Sequence, residues 1–545
     1  MDATPTSTQI PPSGDGSFAS RLVAVAKVGL LLWLLAAWPL VLVKQLPHED
    51  LPGHMAAAYV ADHLAAYPEY VATHGLRTNA ALLFWLHAAS SWLGYTQAAR
   101  VFVIAVLAIT AFGYAFLFNV LGGSRRMWVA SLFSAPLVHH WFVSMGMLNF
   151  SLSFGLCLWI LGLLAMQRAR WAVLRAGGIA ALCALAWVAH SFPLLVLVGI
   201  ALADLAYARV RDRSAVRPAL RVVVSLVPAT LIVALGFWLE PTVDGAGAHL
   251  AGLAKVEWLG LPQLLWMGLR KYVLGSSYWG LAALVPALIL LVVVALRGRK
   301  QSPQLLSTGA LVALSACYLC LPTFMFPTWA YFNTRFVPFL WIALLVRAPE
   351  TLPRKLVALL VCAGIAGSAG NGLALLRMDA DLAEFRSGLP FVARGARLLP
   401  LLFTVKSPSD AIEPVLHAWG YYAIERGTSA DLLWASRKVD AVQYRVLPPP
   451  RFHHDVIQNM PRNMISAEEW CETLLREAST VPEDCGRAWA EAWHSYLTSA
   501  EKRYTHVLVW DAPQPVLALI EQHFSRVHQQ GRLVIGVSKG RGTTD

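Results

Sequence analysis

Two carboxylates flanked by two histidines stand at His48-Glu49-Asp50-Leu51-Pro52-Gly53-His54, a few residues beyond an apolar run that ends at Val43. A carboxylate placed where the chain leaves lipid can take a proton from a hydroxyl or bind a divalent cation. Glu49 and Asp50 are therefore the candidate catalytic pair, with His48 and His54 as adjoining substrate contacts. The plainer account is that acids before a helix cap it and complement its dipole. The two accounts are not exclusive, and both stay open here.

Other polar residues fall at the same membrane face. His139 and His140 lie near the end of the third expected span, Asn149 opens the fourth and His190 closes the fifth. Ionisable groups at membrane depth cost about 3 kcal/mol or more, so a set at one depth implies a water-filled, substrate-binding cavity. Each histidine taken singly reads more readily as an interfacial side chain with a satisfied hydrogen bond. Asn333 and Arg335 sit in an aromatic loop, Phe324 to Phe336. Arginine suits bidentate phosphate recognition, although a snorkelling arginine in an aromatic belt is the competing account. Lys255, Arg270 and Lys271 are further candidates for a lipid phosphate or for anionic headgroups. The histidines show no H-x-x-H or H-E-x-x-H spacing, so no zinc site is expected. A divalent cation at the acids is the cofactor that stays open. His453-His454-Asp455 reads as a polar loop rather than a catalytic group, and Gly540-Arg-Gly542 opens no helix.

These residues need elements to hold them, and composition says of what kind. Of 545 residues, 57% are hydrophobic and only 14% charged, with mean hydropathy +0.54. A soluble domain runs near a quarter charged, so most of the chain must be solvated by lipid. A span needs roughly 20 apolar residues, which places helices near 22–43, 99–121, 127–144, 147–166, 172–190, 193–208, 221–239, 277–296, 304–321, 336–347 and 355–376. That is about eleven spans. The tenth is short and extends backwards through Trp329 if it crosses, and 79–95 reads as an interfacial helix, a re-entrant segment or an extra span. The first run lacks a small-residue cleavage site and is an uncleaved anchor. Leu51 to Leu64 has an amphipathic pattern, as expected of a helix lying along the interface.

Loop charges give the direction. With the N-terminus inside, the cytoplasmic connections hold Arg125/Arg126, Arg168/Arg170/Arg175, the arginines from 209 to 221, Arg297/Arg299/Lys300 and Arg347/Arg354/Lys355, while 145–148 and 191–192 carry none. This alternation fits the positive-inside rule and accounts for the +12 net charge without a nucleic-acid partner. It predicts a disordered cytoplasmic tail (1–20), a membrane domain (21–376) with an outer loop and interfacial helix at 44–98, and an extracytoplasmic α/β domain (377–545). The expected location is a bacterial inner membrane, with the C-terminal domain periplasmic or extracellular. Cys471 and Cys485 are the only cysteines in that domain and are expected to bridge there. In the tail, Tyr504–Trp510 and Arg532–Ser538 read as strands around a helix at Val516–Ser525, and Ala411–Ile424 reads as helix.

The layout resembles the GT-C superfamily of membrane glycosyltransferases: many spans, an acidic motif in the first outer loop, an interfacial helix after it and an extracytoplasmic C-terminal domain. Glu49-Asp50 carries the resemblance, and Arg335 more loosely. Asp50-Leu-Pro-Gly-His54, Gly146-Met-Leu-Asn-Phe150 and Tyr504 to Trp510 look like segments of uncharacterised bacterial members. The resemblance implies transfer of a sugar from a polyprenyl-phosphate donor to a glycan, lipid or protein acceptor, with the first-loop acid as base or metal ligand. Pro52-Gly53 stand where better-known members have a Tyr- or His-containing helix start, so the resemblance does not choose between Glu49 and Asp50. A transporter or flippase would instead want ionisable residues at mid-span and repeated halves. A non-catalytic envelope assembly protein would want only a binding surface on its outer domain.

Overall fold

The computed structural model describes residues 18–73, 75, 77–239, 255–275, 278–297, 305–326, 330–406, 411–429, 431–433, 435, 441–476 and 482–540. The expected disordered tail falls almost wholly outside that range. So do Trp329, residues 541–542 and the side chains of Lys255, Arg270 and Lys271.

Apolar runs free of Gly and Pro clusters wind into helices because lipid leaves no other partner for the backbone. Helix α1 (Phe18–Leu42) is followed by α2 (Leu51–Asp62), strand β1 (Tyr70–Ala72) and the long α3 (Ala81–Val138). Then come α4 (Leu148–Ala169), α5 (Val173–Ala189), α6 (Ser191–Arg211), α7 (Val216–Ser225) and α8 (Val227–Leu239). Strand β2 (Lys255–Glu257), α9 (Leu261–Leu274), α10 (Leu284–Arg297), α11 (Thr308–Cys320), β3 (Phe324–Phe326), α12 (Val337–Leu345) and α13 (Arg354–Arg386) complete the membrane part.

Among the described residues, six helical stretches are long and apolar enough to cross a membrane: Ala19–Leu42, Ala81–Ser144, Leu148–Ala169, Ser191–Arg211, Arg213–Gly236 and Arg354–Phe391. Shorter apolar helices stand among them. The chain is a polytopic α-helical membrane protein carrying a C-terminal α/β domain.

The segment 79–95 and the next two expected spans follow one another in α3, whose backbone leaves helical geometry at Gly94 (φ 71°) and at Gly122-Gly123 (φ −158° and 69°), close to where the sequence reading separates them. The left-handed glycines Gly94 and Gly123 turn the chain where other residues would be strained. Helix α13 runs through the expected domain boundary at 377, because its last turns carry acids that the C-terminal part uses. Asp381 Oδ1 and Glu384 Oε2 lie 2.6 and 3.2 Å from the Arg532 guanidinium, which itself covers the Trp510 ring at 4.4 Å. Helix α2, expected along the interface, is packed on two sides. Leu51, Met55 and Ala58 join the core of the membrane helices, while Ala56 and Val60 join the core of the C-terminal domain. Both sides of the helix are covered, so its weak amphipathic pattern marks a layer between two cores.

The C-terminal part comprises β4 (Leu398–Leu402), α14 (Gly420–Arg426), β5 (Val442–Tyr444), α15 (His454–Asn463), α16 (Ala467–Arg476), α17 (Cys485–Arg503), β6 (His506–Trp510), α18 (Gln514–His523), β7 (Phe524–Gln530) and β8 (Leu533–Ser538). Its sheet runs β4-β6-β8-β7, with β4 parallel to β6 and the other pairs antiparallel. Strands β6 and β8 and helix α18 stand where the sequence places them, although the chain turns from α18 into β7 at Phe524. Strand β4 is hidden in the sequence by Pro400, which a sheet tolerates because β4 lies at the edge. The expected helix at 411–424 forms only from Gly420 onward, with turns before it. Cys471 and Cys485 form the expected disulfide, tying α16 to the start of α17. Strand β5 pairs with β1, so the first loop and the C-terminal domain share a two-stranded sheet.

Candidate active site

The segment carrying Glu49 and Asp50 is held from several directions. Where α1 ends, Arg100 donates to the carbonyls of Val43 at 2.9 Å and Lys44 at 2.8 Å. The next two amides, of Lys44 and Gln45, donate to the Asp379 carboxylate at 2.9 and 2.7 Å. The Glu49 and Asp50 amides then donate to the carbonyls of Ser144 (3.2 Å) and Met145 (2.8 Å). Gly146, at φ 86°, closes this contact: a Cβ there would stand 2.9 Å from the amide nitrogens of both Asp50 and Leu51. Only glycine meets both demands.

Asp50 occupies the N-cap position of α2, yet its side chain makes no capping hydrogen bond. Of the plainer account, only the charge of Asp50 against the helix dipole is left. Its Oδ1 lies 3.5 Å from Nε2 of His417. Glu49 is buried, and its Oε2 accepts the backbone N–H of Glu413 at 2.8 Å. Glu413 in turn faces Arg462 at 3.4 Å and Lys406 at 3.8 Å. The two adjacent acids thus have different employments: Glu49 latches the turn at 411–419, and Asp50 faces an imidazole. Tyr331 reaches the same place from the late loop. Burial first, and then the charges of Glu49, Glu413 and Asp50, push its phenol up.

Burial lowers His417 to about 3, with His54, Arg462 and His454 adding to the shift, and burial alone lowers His54 to about 4. Both rings are neutral near pH 7. They line a small, open pocket between α2, the start of α3 and the C-terminal domain, together with Asn79, Asn149 and Trp419. Trp419 is buried, and its indole N–H has no hydrogen-bond partner. The cavity thus offers neutral polar groups on apolar walls, beside an acid that does not cap.

The remaining expected residues divide. His48 stacks on His139, with ring centroids 6.0 Å apart; it is fully buried and lowered to about 3 by burial, then by His139 and Arg100. His140 stacks on Tyr272 at 4.8 Å, in the aromatic packing below. Asn149 accepts from the Leu82 amide at 2.8 Å and donates to the Asn79 carbonyl at 2.9 Å, so it caps α3 from a neighbouring helix while bordering the cavity. His190 caps α6 through Nδ1, which accepts the Phe192 amide at 3.1 Å, and its Nε2 lies 3.1 Å from Arg335. Arg335 also donates to the Ala330 carbonyl at 3.3 Å and lies over Phe150. Asn333 donates to the Tyr318 carbonyl at 2.9 Å. The structure therefore brings His54 and Asn149 to one cavity with Asp50 beside it. His190 and Arg335 form a pair of their own, and His48 and His139 another.

His417, Glu413, Arg462, Tyr331 and Trp419 escaped the sequence reading. His417 and Glu413 lay inside a stretch taken as a plain helix, and no local spacing links them to Asp50, more than 360 positions earlier. Among the described residues, no third ligand-type side chain completes a cluster around Glu49 and Asp50.

No family model and no curated protein matches the chain. Among solved structures, it is similar to ArnT from Cupriavidus metallidurans bound to undecaprenyl phosphate, at 14% identity and TM-score 0.44, covering 96% of this chain and 100% of that one. The apo form of that protein is similar at 13% identity and TM-score 0.46, covering 94% and 97%. A likeness this loose gives no residue correspondence.

Proposed function

We propose that the chain is a membrane glycosyltransferase that moves a sugar from a polyprenyl-phosphate donor to an extracytoplasmic acceptor hydroxyl. One observation carries the reading. Asp50 lies at a helix start without capping it, and faces His417 on the wall of a cavity between the membrane part and the soluble domain. Its aspect as a poised base is what the first-loop acids were expected to supply.

In this reading the acceptor occupies the cavity with its hydroxyl toward Asp50 and His417. The hydroxyl proton passes to the Asp50 carboxylate, directly or through the neutral His417 ring. The acceptor oxygen bonds to the anomeric carbon, and the bond from that carbon to the phosphate oxygen breaks. The leaving polyprenyl phosphate gains negative charge, which a positioned cation stabilises; Arg335 is the assigned group, one turn from Tyr331 beside the acids. Glu49 acts at one remove, as the latch that holds 411–419 against the loop. The direction of action is outward, with the N-terminus in the cytoplasm and the C-terminal domain outside a bacterial inner membrane. The ArnT structure was solved with undecaprenyl phosphate, a lipid of the donor class proposed here.

The test is Asp50→Asn against Glu49→Gln in the full chain. Asp50→Asn should lower consumption of polyprenyl-phosphate sugar by about 10²–10⁴-fold, the usual contribution of a general base, with the unfolding midpoint measured alongside. Glu49→Gln keeps an acceptor for the Glu413 amide and should lose far less. Equal activity of Asp50→Asn and the parent chain sinks the assignment. Labelling of a Pro450→Cys variant from the cytosolic side would overturn the orientation.

A further inference from the structure

Three ligand-type side chains converge at the start of α15, outside the site just described. His453 is extended (φ −67°, ψ 146°), His454 opens the helix and Asp455 lies in its first turn. His453 Nδ1 is 3.3 Å from Asp455 Oδ2, and His454 Nε2 is 3.2 Å from Asp455 Oδ1. All three ligand atoms lie within 4.8 Å of one another. Ligands about 2.0–2.1 Å from a tetrahedral zinc ion stand roughly 3.3 Å apart. Each histidine nitrogen already has that spacing to one oxygen of the Asp455 carboxylate, His453 to Oδ2 and His454 to Oδ1.

We propose that His453, His454 and Asp455 bind a divalent transition-metal ion of the zinc type, with the fourth position left to water. Two imidazoles and one carboxylate suit such an ion, whereas calcium and magnesium want an all-oxygen shell. A helix N-terminus disfavours a cation by itself, and the Asp455 carboxylate offsets that field. His454 is buried and Asp455 is 44% exposed, so the site has a rigid wall and an entry path.

The position says what the ion would do. Helix α15 carries Arg462, whose guanidinium faces Glu413 at 3.4 Å, and the Glu413 amide is held by Glu49. His453 also lies beside Tyr444, with ring centroids 6.3 Å apart, in the strand paired to β1 of the first loop. An ion here fixes one end of the helix whose other end steadies the segment over Glu49. Such an ion braces the soluble domain on the first loop, and through His454 its charge also reaches His417. The inference does not depend on glycosyl transfer.

The test uses the full chain in detergent, stripped with a chelator and titrated with zinc chloride by calorimetry. One equivalent should bind at about micromolar Kd or tighter, and the cobalt-loaded protein should show the intense visible bands of a tetrahedral ion. The His453→Ala/Asp455→Asn double variant should bind at least about 30-fold more weakly. His494→Ala, which breaks the separate pair of His494 and His523, should leave binding unchanged. Absence of saturable binding tighter than about 100 μM in the parent chain overturns the proposal. So does a double variant that binds as well as the parent. If that variant does not fold, the parent's cobalt spectrum decides, and a weak octahedral spectrum counts against the site.

Discussion

Replacing Gly146 by alanine tests whether the position of Asp50 matters as well as its charge. At φ 86° an alanine pays about 1–2 kcal/mol for a left-handed backbone. Its Cβ would also stand 2.9 Å from the Asp50 and Leu51 amide nitrogens and 3.1 Å from Asp50 Cβ. Ordinary contacts begin near 3.4 Å, so the loop must retreat by about 0.5 Å, which weakens the Asp50 amide bond to the Met145 carbonyl, worth about 1 kcal/mol. The total is about 2–3 kcal/mol of stability. Displacement of a catalytic group by about 1 Å costs on the order of 100-fold in rate, so a shift of this size should lower turnover about 10- to 100-fold. Gly123 supplies the control, since it has φ 69° but nothing within 4 Å of where a Cβ would stand. Gly123→Ala should lose only the backbone term and keep its turnover. The assay is thermal unfolding of both purified variants in detergent, together with donor consumption measured by mass spectrometry. If Gly146→Ala turns over within twofold of Gly123→Ala, the loop's placement of Asp50 does not matter and the reasoning is refuted.

Two further outcomes are expected. The Cys471–Cys485 bridge closes a loop of sequence separation 14, so the Cys471→Ser/Cys485→Ser variant should lose about 3 kcal/mol, seen as a lower unfolding midpoint that added reductant no longer changes. His48, His54 and His417 are held at about 3, 4 and 3 in the folded chain against about 6.5 when unfolded. The unfolded chain therefore binds more protons between those limits, and stability rises with pH there and is lost as pH falls from about 6.5 toward 4. Unfolding midpoints measured across that range should drop steeply, and a flat profile would show that the three rings are not buried neutral.

The polytopic helical character, the two later strands of the tail, the disulfide and the acids were legible locally. Each rests on a short-range regularity: runs of apolar residues, alternation before a Gly turn, two cysteines in one soluble segment, and charges at the end of a span. Strand β4 was not legible, because Pro400 is acceptable only once the strand is known to lie at a sheet edge. The continuation of α13 beyond 376 was not legible either, because the partners of Asp379, Asp381 and Glu384 (the Lys44 and Gln45 amides and Arg532) lie far off in sequence.

The sequence by itself determined that lipid solvates most of this chain and that Glu49 and Asp50 stand at the exit of its first helix, since both facts depend only on neighbouring residues. Tertiary structure alone decided how the two acids differ. Glu49 meets the Glu413 amide and Asp50 meets His417 because α2 is packed between two cores, and the contacts that divide them join residues more than 360 positions apart. Periodicity carries no information across such a distance; only the packed chain brings those groups within 2.8 and 3.5 Å of each other.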